Sequence, residues 1–260
     1  MTSEEKDLLW KFRFYLTRDK RALTKFLKCV IWTDPTEVKQ ATELLSRWTE
    51  VDVDDALELL GPTFRNRAVR AYAVERLRKA DDDVPFPFYY FSYCKELLLY
   101  LLQLVQALKF ENITSSKSTD PTHDSSLAHF LITRSIQNPL LGNNFYWYLL
   151  VECEDRTSSS HKTFAKVAFQ FMKSLSEQAD GTDRRNVFKR QAELVGKLQN
   201  ISREIRNMRG DRGRKIDRLR QSIKESGMET MEALPLFLDA GVQMTGIVAG
   251  TPYTLQNLSR

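Results

Sequence analysis

The chain has 260 residues and a net charge of +5, and its 42% hydrophobic and 28% charged residues are typical of a globular protein, not of a disordered or fibrous one. Its cysteines, Cys29, Cys94 and Cys153, are odd in number and far apart, which excludes a disulfide framework or a paired-cysteine metal motif and predicts a reducing compartment. The sequence offers neither a signal-peptide pattern nor a stretch of ~18 apolar residues, so we expect a soluble protein, or at most one peripheral to a membrane.

Helical periodicity dominates the N-terminal part of the chain. Apolar residues recur at three- and four-residue steps through residues 3–19 and again through residues 21–32, which is the spacing of one helix face. Asp34 is placed as the N-cap of a third helix, with Pro35 at its first position and Glu37 at the capping-box position. The sequence therefore predicts three successive helices with short connections.

The next helices are shorter and have equally clear ends. Asp52 is placed to cap a helix over residues 53–60, which stops at Gly61 and Pro62, and Asn66 is placed to cap the helix after it. None of these short helices can bury its apolar face alone. We therefore predict antiparallel helix pairs that stack into an α-solenoid, although no strict sequence repeat is present.

The middle of the chain alternates apolar helices with polar breaks. Residues 95–111 are apolar on most of the helix circumference, which predicts the central core helix. Residues 112–126 are rich in Ser, Thr, Asp and Pro and predict a mobile surface loop. Two further helices are predicted over residues 126–137 and 143–155, followed by a polar break at residues 157–160.

The region from residue 183 to 225 combines a helical apolar stripe with a high density of Arg and Lys. It predicts one long helix, weakened or bent at Gly210 and Gly213. The run contains no interleaved aromatic residues and matches no nucleic-acid module, which favours a solvated or partner-facing helix over a phosphate binder. The candidate contacts to a partner or an anionic surface are Arg206, Arg209, Arg212, Arg214, Lys215 and Arg218.

Beyond residue 226 the pattern changes to short β-branched runs split by Pro and Gly, which favours strands or extended chain. The predicted fold class is therefore all-α, an α-solenoid of stacked helix pairs with a long basic helix and a short strand-like C-terminal remnant. We predict a helical domain over residues 1–182, the basic helix over residues 183–226, and the truncated start of another domain over residues 227–260.

Catalytic motifs are missing from the sequence. It contains no phosphate-binding loop, no nucleophile elbow and no zinc-hydrolase or deaminase motif, so no catalytic, cofactor-binding or metal-binding residue is assigned. Glu152 and Asp155 flank Cys153 at the end of an apolar helix, where carboxylates are commonly solvated, and no nearby group is spaced to activate the thiol. The histidines are interpreted as ordinary surface or boundary residues: His123, His129 and His161.

Several segments resemble, in the same order, the helical accessory domain of class III phosphatidylinositol 3-kinase catalytic subunits. The resemblance extends from about residue 4 to about residue 226 and then fades into the lead-in to the kinase lobe, which implies that residues 227–260 are the truncated start of the kinase N-lobe. The family's order is a C2 domain, a helical domain and a bilobal lipid kinase, so the resemblance implies that only the helical domain is complete here. The segments that carry it are residues 10–32, 52–60, 70–83, 97–111 and 145–155.

The resemblance implies a parent enzyme that uses ATP and Mg²⁺ to phosphorylate the 3-hydroxyl of phosphatidylinositol in autophagy and endosomal sorting. It implies assembly with a regulatory subunit and Beclin-type subunits, a cytoplasmic location, and peripheral association with endosomes and autophagosome precursors. Gly210-Asp211-Arg212 resembles the start of the family's catalytic loop but lacks the following His and Asn. We therefore expect a non-catalytic scaffold with no cofactor, no small-molecule substrate and no specific nucleic acid.

Alternatives remain open at this level. The chain can also be interpreted as a free-standing α-solenoid adaptor that binds protein or nucleic acid through its basic C-terminal helix, or as a fragment of the active kinase. Residues 84–95 interrupt the resemblance: either they are a true aromatic-rich insertion or they derive from a retained intron, since Val codons begin with GT and a Lys codon can end in AG.

Overall fold

A computed structural model describes residues 1–82, 93–111, 127–155, 157–237 and 242–248. The chain divides into two compact units, Met1–Phe171 and Met172–Arg260. Its helices are α1 (Ser3–Lys11), α2 (Arg13–Leu16), α3 (Leu23–Leu27), α4 (Pro35–Leu45), α5 (Val53–Leu59), α6 (Arg67–Asp82), α7 (Tyr93–Ala107), α8 (Leu127–Gln137), α9 (Pro139–Glu154), α10 (His161–Ser176), α11 (Gly181–Asn207) and α12 (Arg212–Glu225). The strands are β1 (Leu234–Pro235) and β2 (Gln243–Met244).

The all-α class predicted from the sequence is confirmed. In the first unit α5 packs on α6, α6 on α8, α8 on α9 and α7 on α9, which is the neighbour-to-neighbour pairing of a helical solenoid. The short strands β1 and β2 pair antiparallel with Leu234 opposite Met244, which confirms the strand-like character predicted beyond residue 226. The predicted domain boundaries after residues 182 and 226 stay predictions.

Helix starts follow the capping residues in several places. The Asp34 carboxylate accepts from the Thr36 amide at 2.8 Å, with Pro35 at the first position of α4. Asn66 accepts from the Ala68 amide at 2.9 Å before α6, as predicted. The sequence analysis missed one cap, a capping box at α1 in which Thr2 and Glu5 exchange bonds.

Two predicted caps are wrong because other donors take the same carboxylates, a lysine in one case and a backbone amide in the other. Asp52 makes no side-chain cap to α5, and its carboxylate instead accepts from Lys20 Nζ at 2.8 Å. Glu37 does not close a capping box with Asp34, because its carboxylate accepts from the Ile31 amide at 2.8 Å. A local sequence pattern identifies a possible cap, whereas tertiary neighbours decide which bond forms.

The first two predicted helices are shorter and more broken than their periodicity indicates. The chain leaves helical geometry at Phe12, which separates α1 from α2, and neither helix has a buried residue. The second predicted helix reduces to a 3-10 turn over Lys20–Ala22 followed by α3. Short helices depend on packing of an apolar face, and α1 and α2 have little of it.

An aromatic stack organises the N-terminal end of the first unit. The Phe26 ring lies between Trp10 and Trp48, with ring centroids 5.9 and 5.2 Å away. Trp48 also donates from its indole nitrogen to the Asp19 carbonyl at 3.0 Å. Burying the aromatic faces while satisfying the one polar group of Trp48 fixes α3 against the chain that follows α4.

A buried arginine joins several helix ends in the middle of the first unit. Arg70 of α6 is only 5% exposed and donates to the carbonyls of Leu60 and Ala107 at 2.7 and 3.1 Å. Its guanidinium also lies 4.0 Å from the carboxylate of Glu111, which in turn accepts from the Leu127 amide at 2.8 Å. One charged pair therefore connects the end of α5, the end of α7 and the start of α8.

Helix α7 is not the fully buried core helix that its composition predicts. Leu101 and Leu104 are buried, but Leu99 is 74% exposed and Leu102 is 45% exposed. One face of α7 packs on α9, while these two leucines lie on a face that no described element covers. The loop predicted over residues 112–126 lies outside the described residues, as does most of the aromatic segment at residues 84–95.

The predicted long basic helix is two helices, because α11 ends at Asn207 and the chain breaks at Gly210, one of the two glycines where a bend is predicted, whereas Gly213 lies inside α12. The Arg218 guanidinium lies 2.7 Å from the Glu204 carboxylate, although residues this far apart are ~21 Å apart along a continuous helix. The chain instead folds back between α11 and α12 into an antiparallel helical hairpin. Its core contains Leu194, Ile201, Ile223, Met228 and Leu234.

Helix α12 ends in a left-handed glycine that sends the chain toward the strands. Gly227 has φ of +69°, the Met228 amide donates to the Ile223 carbonyl at 3.2 Å, and the Gly227 amide donates to Lys224 at 3.1 Å. This pair of bonds is a Schellman motif, with the Met228 and Ile223 side chains packed together in the hairpin core.

Candidate functional site

The reversal between α11 and α12 is built chiefly by Met208, Gly210 and Asp211. Met208 is extended with ψ of 130°, and Gly210 has φ of +148°, a conformation that side-chain-bearing residues rarely adopt. Asp211 then caps α12, because its carboxylate accepts from the Arg214 amide at 3.3 Å. The sequence thus encodes a helix stop, a glycine turn and a new helix start within a short stretch.

The structure brings five of the six predicted contact residues together at this reversal. Arg206 lies in the last turn of α11, Arg209 in the connection, and Arg212, Arg214 and Lys215 in the first turn of α12. The four arginines are exposed and Lys215 is half-buried. We call this group, Arg206, Arg209, Arg212, Arg214 and Lys215, the basic turn.

Arg218, the sixth candidate, lies one turn further along α12 and has its charge paired inside the hairpin. Its guanidinium lies 2.7 Å from Glu204 and 3.5 Å from Glu225. The hydrogen bond to Glu204 raises the pKa of the Arg218 guanidinium. Its role as a partner contact stays a prediction, while the geometry gives it a part in holding α11 against α12.

The charges of the basic turn are poorly compensated. Arg214 lies 3.8 Å from Asp211, but both side chains are largely exposed, at 78% and 74%, so their attraction is weak. Within the described part of the chain, no carboxylate lies at ion-pair distance from the other four members. Three cations elsewhere in the second unit have nearer counter-ions; the pairs are Arg190 with Glu232, Arg218 with Glu204, and Arg220 with Asp217.

The basic turn also places positive charge at the unfavourable end of a helix dipole. The first turn of α12 carries three cations and no acidic residue, whereas α1 and α5 carry acidic pairs there. A cation near a helix N-terminus costs roughly 0.3–1 kcal/mol, where an acidic residue stabilises by a similar amount. The hairpin therefore keeps these cations at some cost to its own stability.

The catalytic-loop resemblance at residues 210–212 has a structural explanation. Gly210 supplies the turn and Asp211 supplies the helix cap, so both residues are engaged in reversing the chain. Arg212 is exposed in the first turn of α12. These positions account for the tripeptide without any catalytic role.

The acidic residues beside Cys153 do not activate its thiol. Burial and the nearby charge of Glu152 both raise the pKa of Cys153, which keeps the sulfur protonated and weakly nucleophilic. Glu152 lies 3.5 Å from the Gln106 amide, and Asp155 accepts from the Thr157 hydroxyl at 2.5 Å. The carboxylates thus serve separate local bonds.

The described ranges contain neither a cluster of metal ligands nor a helix suited to span a membrane. There, no three His, Cys, Asp or Glu side chains cluster in a way that could hold a metal ion. Within the same ranges, no helix has the length and apolar composition needed to cross a membrane. His129 lies in α8 and His161 begins α10, far apart in sequence, while His123 lies outside the described residues.

Sequence reasoning missed an exposed apolar surface at the N-terminus. Phe12, Phe14 and Tyr15 are all exposed, although the periodicity through residues 3–19 indicates one apolar helix face. A signal was present in the sequence, because Phe14 lies two residues from Phe12 and one from Tyr15, spacings that do not share a helix face. Arg13 lies between them, over the rings of Trp10 and Phe14.

Comparison with known proteins identifies similar chains over nearly the whole length. The family model for the phosphoinositide 3-kinase family accessory domain (PIK domain) matches residues 1–184. The chain is 48% identical over 251 residues to phosphatidylinositol 3-kinase pik3 of Schizosaccharomyces pombe. It is 40% identical over 258 residues to phosphatidylinositol 3-kinase VPS34 of Arabidopsis thaliana, and 31% identical over 285 residues to the VPS34 kinase of Saccharomyces cerevisiae.

Coverage is very unequal in these alignments. They include 95%, 96% and 92% of this chain, but only 29%, 29% and 30% of the three relatives. The chain therefore spans less than a third of the length of the kinases that it matches. The similarity describes one region of those proteins.

Proposed function

Because the chain belongs to the phosphoinositide 3-kinase accessory-domain (PIK domain) family, we propose that it is the helical scaffold of a class III phosphatidylinositol 3-kinase. One observation carries the proposal: identity of 48% to the S. pombe kinase is sustained over 95% of this chain. Identity at that level over so long an alignment leaves the packing of the helices, and the surfaces built on them, closely related. Two further relatives are named VPS34 kinases.

A scaffold needs a rigid body, and the first unit has the interactions that make one. The Arg70–Glu111 pair joins three helix ends in its interior, and the ring stack around Phe26 fixes another region. Such interactions leave little freedom for neighbouring helices to slide. We propose that this rigidity holds the other domains of the parent enzyme at fixed positions.

The activity and partners that we propose belong to the parent enzyme. That activity is ATP- and Mg²⁺-dependent phosphorylation of the 3-hydroxyl of phosphatidylinositol, in autophagy and endosomal trafficking. The proposed partners are a regulatory subunit and Beclin-type subunits, with peripheral association at endosomal and autophagosome-precursor membranes. Exposed apolar side chains on α7 and α10, such as Leu99 and Phe169, offer contact area for such subunits.

We further propose that the isolated chain does not turn over. Phosphoryl transfer depends on a positioned phosphate-binding lysine and on carboxylates that hold metal ions. The sequence offers no counterpart of those motifs. In this proposal the helical chain holds in place a catalytic centre that lies elsewhere in the parent enzyme.

A domain exchange tests the proposal. The matching segment of the S. pombe kinase is replaced by this chain, and formation of 3-phosphorylated phosphatidylinositol is measured with detergent-solubilised lipid. We expect the chimera to be active and the isolated chain to form no product. The matched control is a chimera whose inserted chain carries Arg70→Met, which should lose activity together with thermal stability.

Two outcomes would contradict the scaffold proposal. A chimera that folds with a normal melting temperature but forms no product would show that this chain does not position the catalytic domain. If, in addition, the isolated chain bound nucleic acid with steep salt dependence, the adaptor interpretation would replace the scaffold.

Residues 84–95 can be tested in the same chimera. If the chimera keeps its activity when these residues are deleted, they are dispensable for it.

A further inference from the structure

We propose that the basic turn is a docking surface for membranes that contain anionic phospholipids. This inference goes beyond the scaffold role and does not depend on it, because it uses only the charges and geometry of the second unit. Its partner is a negatively charged lipid surface that contacts Arg206, Arg209, Arg212, Arg214 and Lys215 together.

The first support is the convergence of charge. In a straight helix these five residues would spread around the axis, but the reversal at Gly210 gathers them at one end of the hairpin. Asp211 is the one carboxylate within residues 206–215, and its oxygens already serve the α12 cap and the weak pair with Arg214. Charges that face one anionic surface together add their attractions to it, at about 1 kcal/mol, or about fivefold in binding, for each Lys or Arg near the surface.

The second support is that the hairpin does not need these cations for folding. Arg218, Arg220 and Arg190 are paired with carboxylates, so they contribute to holding the unit together. Three members of the basic turn, Arg212, Arg214 and Lys215, in contrast oppose the dipole of α12, whereas Arg206 lies at the favourable C-terminal end of α11. Apart from Arg214, no member has a carboxylate at ion-pair distance among the described residues, and cations that the fold does not pair are expected where a partner uses them.

The basic turn lacks the side chains that nucleic acids and protein partners need, which favours a lipid surface as its partner. No aromatic residue occurs between residues 203 and 225, so the surface has no platform for stacking bases. Among the described residues, no large exposed apolar side chain lies between Phe169 and Val242, so the hot-spot anchors typical of protein interfaces are missing there. A dense anionic surface needs neither feature and gains from each added cation.

The experiment uses the full 260-residue chain and sedimentation with vesicles. Vesicles of phosphatidylcholine alone are compared with vesicles that contain about one-third phosphatidylserine. The test variant is Arg212→Glu/Lys215→Glu. The matched control is Lys189→Glu/Lys197→Glu, which changes net charge by the same amount on the exposed body of α11.

We expect the wild-type chain to bind only the phosphatidylserine vesicles, and to be released by ~0.5 M salt, where charges are strongly screened. Each Lys or Arg near such a surface changes binding about fivefold, so the test variant should bind at least about 25-fold more weakly. The control variant should stay within about twofold of wild type.

A second measurement separates loss of binding from loss of folding. Because the test variant places acidic residues in the first turn of α12, its melting temperature should equal or exceed that of wild type. Weak vesicle binding together with undiminished stability would support the docking surface, and rescue of binding by Arg212→Lys/Lys215→Arg would support it further.

Other results would overturn the inference. Equal loss of binding in the control variant would show that net charge alone attracts the chain. Undiminished binding by the test variant would place the contact elsewhere. If single-stranded RNA bound through the same residues while the vesicles did not, the occupant would be nucleic acid. The kinase chimera is measured with solubilised lipid, so the two proposals fail separately.

Discussion

At the scale of single residues, Arg70 shows how a buried charge can specify a helical stack. Burial lowers the pKa of its guanidinium, and the carboxylate of Glu111 partly opposes that effect. The side chain meets two carbonyls at helix ends, groups that would otherwise lack donors in the interior. Such a pair is easily disrupted, because removing either partner leaves the other charge buried.

The corresponding prediction is that Arg70→Met destabilises the first unit by about 3–5 kcal/mol, since it leaves Glu111 without its counter-ion and two carbonyls without their donor. Urea unfolding measures the loss. Lys79→Met removes an exposed pair with Glu50 and should cost far less, because water and salt screen that pair. Equal losses of stability in the two variants would show that the buried pair contributes no more to stability than the exposed pair.

Two surface carboxylates make stability depend on pH. The hydrogen bond from Lys79 lowers the pKa of Glu50, and the hydrogen bond from Lys20 lowers the pKa of Asp52. A carboxyl whose pKa is lower in the folded state stabilises the fold above its unfolded pKa, and that contribution is lost as pH falls through the folded pKa.

We therefore expect the free energy of unfolding to fall between pH ~5 and ~3, and to fall less steeply in the variant Lys20→Met/Lys79→Met. Urea titrations at several pH values measure both slopes. Lys25→Met removes an exposed cation of α3 as a control and should leave the slope unchanged. An unaltered slope in the double variant would refute this assignment.

At the scale of elements, the α11–α12 hairpin shows what periodicity can and cannot predict. Apolar residues at helical spacing run from Leu194 to Met208 and resume from Ile216 to Ile223, and most of them lie in or against the hairpin core. The same spacing is found whether the chain runs straight or folds back, so it does not determine direction. The direction depends on Gly210 and on cross-helix contacts such as Arg218 with Glu204, which are tertiary.

The same limit applies to the candidate site. The residue types of the basic turn are evident from sequence, but their convergence follows from the reversal. Arg218 belongs to the same run of cations, and only its contacts with Glu204 and Glu225 distinguish it. Helix caps show the same limit. Asp52 matches the capping pattern in sequence, but its carboxylate accepts a hydrogen bond from Lys20 instead.

One substitution made at two glycines should have opposite effects. Gly227→Ala forces a side chain into φ of +69° at the end of α12 and should cost about 1 kcal/mol or more. Gly196→Ala lies inside α11, where an added methyl meets nothing within 4 Å, and should stabilise by up to about 1 kcal/mol. Thermal or urea unfolding measures the change in stability of each variant, and changes in the same direction would contradict the structure.

At the scale of the whole molecule, the surface of the first unit is unusually apolar in places. Leu99 on α7, Val151 on α9 and Phe169 on α10 are all more than half exposed. Monomeric proteins tolerate isolated exposed apolar residues, whereas several on one unit indicate surfaces that other chains cover. The isolated chain is therefore expected to self-associate at high concentration.

Leu99→Glu/Phe169→Glu should reduce that self-association, as measured by sedimentation velocity, without lowering the melting temperature. Leu101→Glu is the control, because Leu101 is fully buried on the same helix and a charge there should unfold the chain. Unchanged self-association in the double variant would show that these side chains are not the cause.

The bond between the Glu111 carboxylate and the Leu127 amide has a consequence for evolution. It ties together the two points between which the intervening chain must run, so the helices on either side keep their places whatever that chain contains. Closing such a connection costs only about 0.6 kcal/mol more for each doubling of its length. Insertions, deletions and changes of composition between these two residues should therefore accumulate freely among related proteins, making this the natural place to graft a tag, an epitope or a reporter.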